Sequence, residues 1–262
     1  MNPELPPYQR LSRHGRFPAL LVCDHASCRV PEGMQDLGLH PRDLRRHIGW
    51  DIGAIELAQA LARQLDIGLV AAGYSRLVID CNRHLEDPSS IVTLSDQTPV
   101  PGNQGIDAVE RDRRVRAYFE PYHKAIAEEL QQLAQRCEAP AVIAIHSFTP
   151  EMDGHARPWH CGILWDRDAR LPVPILQALA LEPGVVVGDN EPYSGRHPAD
   201  YTIERHAESC GWPHVCIEVR QDQLQNEPGI TNWAERLARA LTPLLSQPSL
   251  YRVQGANMSL PT

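Results

Sequence analysis

Four times in this chain a short, continuously apolar run stops abruptly on side chains able to do chemistry. "LLVCDH" ends at His25, "RLVIDCNR" at Asn82 and Arg83, "AVIAIHS" at His146 and Ser147, and "HVCIEVR" passes through Glu218 to Arg220. Runs this short and this apolar fit strands buried on both faces, as a mainly parallel sheet requires. Between them lie longer segments with helical periodicity, so the expected fold class is α/β, a mixed, mostly parallel central sheet flanked by helices.

The pattern predicts strands at Ala19–Cys23, Leu69–Ala72, Leu77–Cys81, Val142–Ile145, His160–Leu164, Val185–Val187 and Val215–Val219. Apolar residues recurring on one face predict helices over Asp51–Leu65 and Glu110–Arg136, the second kinked at Pro121, with others at Val173–Leu181, Thr202–Cys210 and Asn232–Leu245. The polar, proline-broken stretch Glu86–Asp107 is expected to be a functional loop outside the core and beside the site, and Ser246–Thr262 a loose tail. At 262 residues, one domain is expected, with its core over about 18–245.

Charge and cysteine content exclude several classes. A formal net charge of -8 and a single lysine, Lys124, provide no basic footprint for nucleic acid. Seven cysteines at irregular spacings, with no C-x-x-C pair, argue against a disulfide framework and a thiolate metal site. No apolar run reaches the length of a membrane span and the N-terminus lacks a signal-like apolar core, so a soluble, cytoplasmic protein is expected, with no membrane or nucleic-acid partner.

In open α/β sheets the ligand crevice lies beyond the carboxyl ends of the strands, which would let the four run endings converge. Two histidines and one carboxylate make a catalytic zinc site with a position left for water. His25 and His146 are the natural pair. Asp51, in "HIGWDIGAIELA", is the best third ligand, with helix N-capping as its alternative role and His47 as a substitute ligand. Glu218, enclosed by Ile217 and Val219, must either serve a site or pair with an arginine such as Arg220, because an unpaired buried carboxylate is costly. Asp24 could orient an imidazole. In "DNEPYSG", Tyr193 is the candidate oxyanion or substrate donor, in a loop that could equally be a plain tight connection.

These residues, with "CDHASCRVP", "WDIGA", "YSRLVIDCNR", "AIHSFTP", "RPWHCGILWDRD", "VGDNEPYSG" and "VCIEVRQD", resemble the N-formylglutamate amidohydrolase family, whose fold is related to the zinc carboxypeptidases and aspartoacylases. The resemblance implies a Zn2+ site of His25, Asp51 and His146, with Glu218 as general base and Asn82 and Arg83 holding a substrate carboxylate. It implies hydrolysis of the amide of N-formylglutamate or a related small N-acyl amino acid. The first motif here reads Asp24-His25-Ala26-Ser27, where better-known members have a Pro-His-Gly/Ser-Gly type sequence. The competing readings are a carboxypeptidase-like peptidase of small peptides and a non-catalytic ligand-binding module. The oligomeric state is open.

Overall fold

A computed structural model describes residues 6–13, 15–196 and 200–254. Its centre is a seven-stranded sheet. In chain order the strands are β1 (Tyr8–Leu11), β2 (Ala19–Cys23), β3 (Gly68–Ala72), two-residue β4 (Leu94–Ser95) and β5 (Thr98–Pro99), β6 (Ala141–Phe148), two-residue β7 (Glu151–Met152) and β8 (His155–Ala156), β9 (Cys161–Leu164), β10 (Val187–Asp189) and β11 (His214–Arg220). The main sheet runs β1-β3-β2-β6-β11-β9-β10, while β4 with β5 and β7 with β8 form separate hairpins. Strands β3, β2, β6 and β11 are mutually parallel, whereas β1 and β9 enter antiparallel, so the sheet is mixed but mostly parallel.

Helices α1 (Pro41–Leu44), α2 (Ala54–Leu65), α3 (Ala108–Arg114), α4 (Glu120–Leu133), α5 (Pro172–Ala180), α6 (Tyr201–His206) and α7 (Glu227–Leu245) cover the two faces. Alternation along the strands sorts the core. Leu21, Ile143 and Ile217 pack with Leu61 of α2, Ile175 of α5 and Trp233 of α7. Their neighbours Leu20, Val142 and Cys216 pack against Tyr122 and Ile126 of α4 and Ile203 of α6. Each fully buried aliphatic side chain stabilises the fold by roughly 1.5–3 kcal/mol relative to exposure.

Several expectations are corrected. Leu77–Cys81 is not a strand but a buried irregular segment. Its carbonyls are taken by side chains rather than by a neighbouring strand: Asn103 Nδ2 donates to Leu77 O at 2.9 Å and Arg114 Nη1 to Val78 O at 2.9 Å. The 86–107 stretch is not wholly outside the core, since Ile91 and Val100 join Leu77, Val78 and Ile79 in a third apolar cluster. The predicted strand at Val185–Val187 lies two residues later, over Val187–Asp189, because Val185 N closes a turn on Glu182 O.

Pro121, which lacks an N–H, follows a π-helical turn over Val115–Phe119 that joins α3 to α4. Helix α7 starts earlier than expected because Asn226 caps it, accepting from Gly229 N at 2.9 Å. Ser246–Gln254 is anchored rather than loose: Tyr251 donates its hydroxyl to Leu245 O at 2.6 Å, and Arg170 holds Leu250 O at 3.1 Å. Residues 255–262 of the expected tail lie outside the described residues. No described helix is long and apolar enough to cross a membrane.

Candidate active site

Register brings the run endings together. In the parallel pair of β6 and β11, His146 stands directly opposite Glu218. In the pair of β2 and β6, Val22 faces Ala144, which sets Asp24 beside His146 two residues on. His25 follows immediately after β2, and its carbonyl accepts from Asp51 N at 2.9 Å, drawing in the turn before α2. That helix is capped by Gly53 at φ 82°, not by Asp51, so the Asp51 side chain is free to turn into the site.

The Asp51 carboxylate lies between the two imidazoles. Its Oδ2 is 2.8 Å from His146 Nδ1 and 3.3 Å from His25 Nδ1. The three side chains are buried, and their ligand atoms lie within 4.8 Å of one another. The far nitrogens face further carboxylates: His25 Nε2 is hydrogen-bonded to Asp80 Oδ1 at 2.8 Å, while His146 Nε2 lies 3.1 Å from Asp24 Oδ2 as an ion-pair contact without hydrogen-bond geometry. A proton on Nε2 of each ring would leave its Nδ1 lone pair free for a metal, the arrangement by which second carboxylates orient metal-binding imidazoles. Asp24 is itself fixed by the Tyr122 hydroxyl at 2.9 Å and the Thr202 hydroxyl at 2.5 Å. Arg76 braces Asp80 through Nε and Nη2 at 3.0 and 2.7 Å, with its Nη1 3.7 Å from Asp51.

The electrostatics call for a cation. Among the described residues, four buried carboxylates, Asp24, Asp51, Asp80 and Glu218, meet only one guanidinium within ion-pair distance, that of Arg76. Burial works against ionisation of Asp51, but the charges and hydrogen bonds of His25 and His146 hold its carboxyl well below the usual range. Burial likewise opposes protonation of His146, yet Asp24 and Asp51 push its pKa well up; His25 is raised by Asp80 and Asp51 against burial and Arg76. An imidazole pair that draws in protons so strongly fits a divalent cation between Nδ1, Nδ1 and Asp51, and two nitrogens with one carboxylate are a donor set suited to zinc.

Glu218 differs from the other three carboxylates, each of which has a hydrogen-bond partner on at least one oxygen. Its Oε2 is buried with no hydrogen-bond partner, and burial, reinforced by Asp51 and only partly offset by His146, pushes its pKa up to about 7. Arg220 does not pair with it, because Nε of Arg220 reaches Asp222 at 2.7 Å instead. Opposite Glu218 on β9 stands Gly162, where an added Cβ would meet Glu191 O at 2.0 Å. That close approach lets the loop carrying Tyr193 pack against the strand.

His25, Asp51, Arg76, Asp80, His146 and Glu218 border one cavity of about 620 Å³, within the range for small-molecule sites. Asn82, Arg83 and Tyr193 line it. Asn82 Oδ1 accepts from Thr202 N at 3.0 Å, capping α6, and Arg83 Nη1 donates to Asp200 Oδ1 at 2.9 Å. The Tyr193 hydroxyl accepts from Arg157 Nη1 at 3.1 Å. His47 lines the cavity apart from the donor set, with Nε2 3.6 Å from Asp96. Cys23 is buried in the core and supplies no ligand among the described residues. Sequence reasoning missed Asp80 and Arg76; the signal available was the Arg76–Asp80 spacing of four just before Asn82.

An open α/β sheet whose strand ends bring imidazoles, carboxylates and an unpaired buried glutamate to a small cavity has the equipment of a hydrolytic enzyme, and comparison with known proteins narrows the class to the amidohydrolases. The sequence model described as N-formylglutamate amidohydrolase matches residues 17–224, and the chain belongs to that family. An N-formylglutamate deformylase of Pseudomonas putida is 24% identical over 254 residues, covering 90% of this chain and 93% of that protein. The crystal structure of a gene product from Agrobacterium tumefaciens is 33% identical with a TM-score of 0.88, over 94% of this chain and 97% of that one. An N-formylglutamate amidohydrolase structure from Ralstonia eutropha shares the fold, with a TM-score of 0.73 at 20% identity over 92% and 97% of the two chains.

Proposed function

We propose that this amidohydrolase is zinc-dependent and cleaves the amide of N-formylglutamate or a related small N-acyl amino acid. The observation that carries the reading is the convergence of His25, Asp51 and His146 on one point with Glu218, whose pKa is near 7, in the same cavity wall. Zinc held there by the three ligands would lower the pKa of a bound water to about 7 and polarise the substrate carbonyl.

The chain's own groups supply the proton traffic. Glu218 is poised as general base, since a carboxylate whose pKa lies near neutrality can take a proton from water and return it to the leaving amine. Arg76, its guanidinium held beside Asp51 and Asp80, is suited to donate to the oxygen that gains charge as the carbonyl is attacked. Products would be an acid, formate for a formyl substrate, and the free amino acid. A non-catalytic binding module would have no use for an unpaired buried glutamate, whose burial costs stability.

The test is formate release from N-formylglutamate by protein stripped of metal and then given zinc, run beside N-acetylglutamate and dipeptides. Turnover restored by zinc supports the reading. Faster cleavage of dipeptides would replace the acyl amino acid with a peptide substrate, and no turnover with bound zinc would remove the hydrolase.

A further inference from the structure

The cavity is rich in both signs of charge, and nearly every cation on its wall is already committed. Arg76 is paired with Asp80 at 2.7 Å, Arg83 with Asp200 at 2.9 Å, and His84 with Glu204 at 2.9 Å. His47 has Asp96 at 3.6 Å, and the two donor-set imidazoles sit among carboxylates. Arg157, the first residue of the "RPWH" motif, lies against the wall residues Thr149 and Tyr193 and is different. Among the described residues it has no carboxylate partner; its Nη1 meets only two neutral oxygens, Tyr193 Oη at 3.1 Å and Thr149 Oγ1 at 3.2 Å.

The guanidinium is nevertheless held in place. It stacks over the Tyr193 ring at 4.9 Å and lies 5.9 Å from the Phe148 ring centre, and Phe148, Thr149 and Tyr193 all line the cavity. Its backbone is fastened on both sides to the strands of the site. Arg157 N donates to Pro150 O at 2.8 Å, closing the hairpin that follows β6, and Arg157 O accepts from Arg220 Nη1 at 2.8 Å at the end of β11. Those are the strands that carry His146 and Glu218. A pre-positioned guanidinium without a counter-ion, packed against the lining residues Thr149 and Tyr193 of a cavity whose buried groups are mostly acidic, is the group there able to draw in an anion.

We infer that Arg157 is the carboxylate anchor of this cavity, its planar fork binding a carboxylate of the N-acyl amino acid while Tyr193 and Phe148 hold the fork in plane. The inference rests on the reading of the site as one for N-acyl amino acids. It shifts the main anchoring role from Arg83, whose charge is met by Asp200, to a residue that follows His146 in the chain.

The experiment compares wild type with Arg157→Gln and Arg157→Lys on N-formylglutamate, N-formylglutamine and N-formylisoglutamine, alongside calorimetric titration with glutarate, a dicarboxylate with no bond to cleave. Arg157→Gln should raise KM for N-formylglutamate roughly 10- to 100-fold with a smaller change in kcat, and weaken glutarate by a similar factor. Wild type and Arg157→Gln should handle equally the one amide that lacks the carboxylate Arg157 grips. Arg157→Lys, which keeps the charge without the fork, should fall between, and it decides the matter if Arg157→Gln does not fold. KM and glutarate affinity within about twofold of wild type would overturn the assignment, as would a wild type that binds no glutarate. If wild type binds glutarate but releases no formate from any substrate, the hydrolytic reading fails, and the loss or retention of glutarate affinity in the variants still decides Arg157.

Discussion

Glu218 stands directly across the parallel register from His146, so the group proposed as base and one proposed metal ligand form one rung between two neighbouring strands. Their separation is therefore set by strand spacing in the most buried part of the sheet and not by loop geometry. A single residue of slip between β6 and β11 would turn one of them to the opposite face. The geometry is as rigid as the core beneath it.

Replacing Glu218 by Gln should leave zinc content unchanged and lower kcat by about 10²–10⁴-fold, the usual range for loss of a general base. Metal analysis and steady-state kinetics on one preparation check this. Equal turnover in the variant would remove Glu218 as base.

The same substitution should also change how the metal-free protein responds to pH. Burial raises the Glu218 pKa from 4.5 to about 7. Between those values the native state binds more protons than the unfolded chain, so this group's contribution to stability is fully present below pH 4.5 and is lost as pH rises through about 7. Glu218→Gln should flatten that decline, worth a few kcal/mol at most, in denaturant titrations from about pH 5 to 8.

Asp80→Asn and Asp24→Asn should each weaken zinc binding by about 10- to 100-fold, because each imidazole loses the charged carboxylate beside its Nε2. Competition with a chromogenic chelator reads the affinity. Unchanged affinity in both variants would show that the imidazoles orient without them.

The buried pair His123 and His206, with Nδ1 of the first 3.0 Å from Nε2 of the second, predicts acid sensitivity. Burial lowers their pKa values to about 4 and about 3, from 6.5 in an open chain. Below pH 6.5 the unfolded state therefore takes up protons that the folded state refuses, and stability falls from pH 6.5 down to about 4. His206→Gln should make the melting temperature less dependent on pH across this window; an unaltered slope would contradict the assignment.

Asn103→Ala should destabilise the fold by about 2–5 kcal/mol, since it strips partners from two carbonyls and from Arg114 at once. Chemical denaturation measures the loss. The variant should also loosen the cavity wall formed by Leu77 and its neighbours, visible as faster amide exchange there.

Much of this arrangement was legible along the chain. The apolar runs at Ala19–Cys23, Val142–Ile145 and Val215–Val219 read as buried strands because nothing but a two-sided core tolerates them, and His25, His146 and Glu218 stood out as costly residues at their ends. Leu77–Cys81 looked the same by composition and is not a strand. Its hydrogen-bond partners are the side chains of Asn103 and Arg114, which are far off in sequence and invisible to local pattern. The edge strand Tyr8–Leu11 went unseen for a related reason: being half exposed, it has no apolar run to mark it, and it is a strand only because β3 offers a free edge.

By itself, then, the sequence determined which segments must be buried and which reactive side chains that burial makes expensive, since hydrophobic periodicity is a local property. Only the tertiary structure decided what those side chains meet. Asp51 points into the site because Gly53 takes over the helix cap, Asp80 reaches His25 across the site, and Arg157 packs against Thr149 and Tyr193 of the cavity with no counter-ion among the described residues. Those outcomes depend on strand register and on contacts between residues 26 to 95 positions apart, where charge and hydrogen-bond satisfaction act through space and not along the chain.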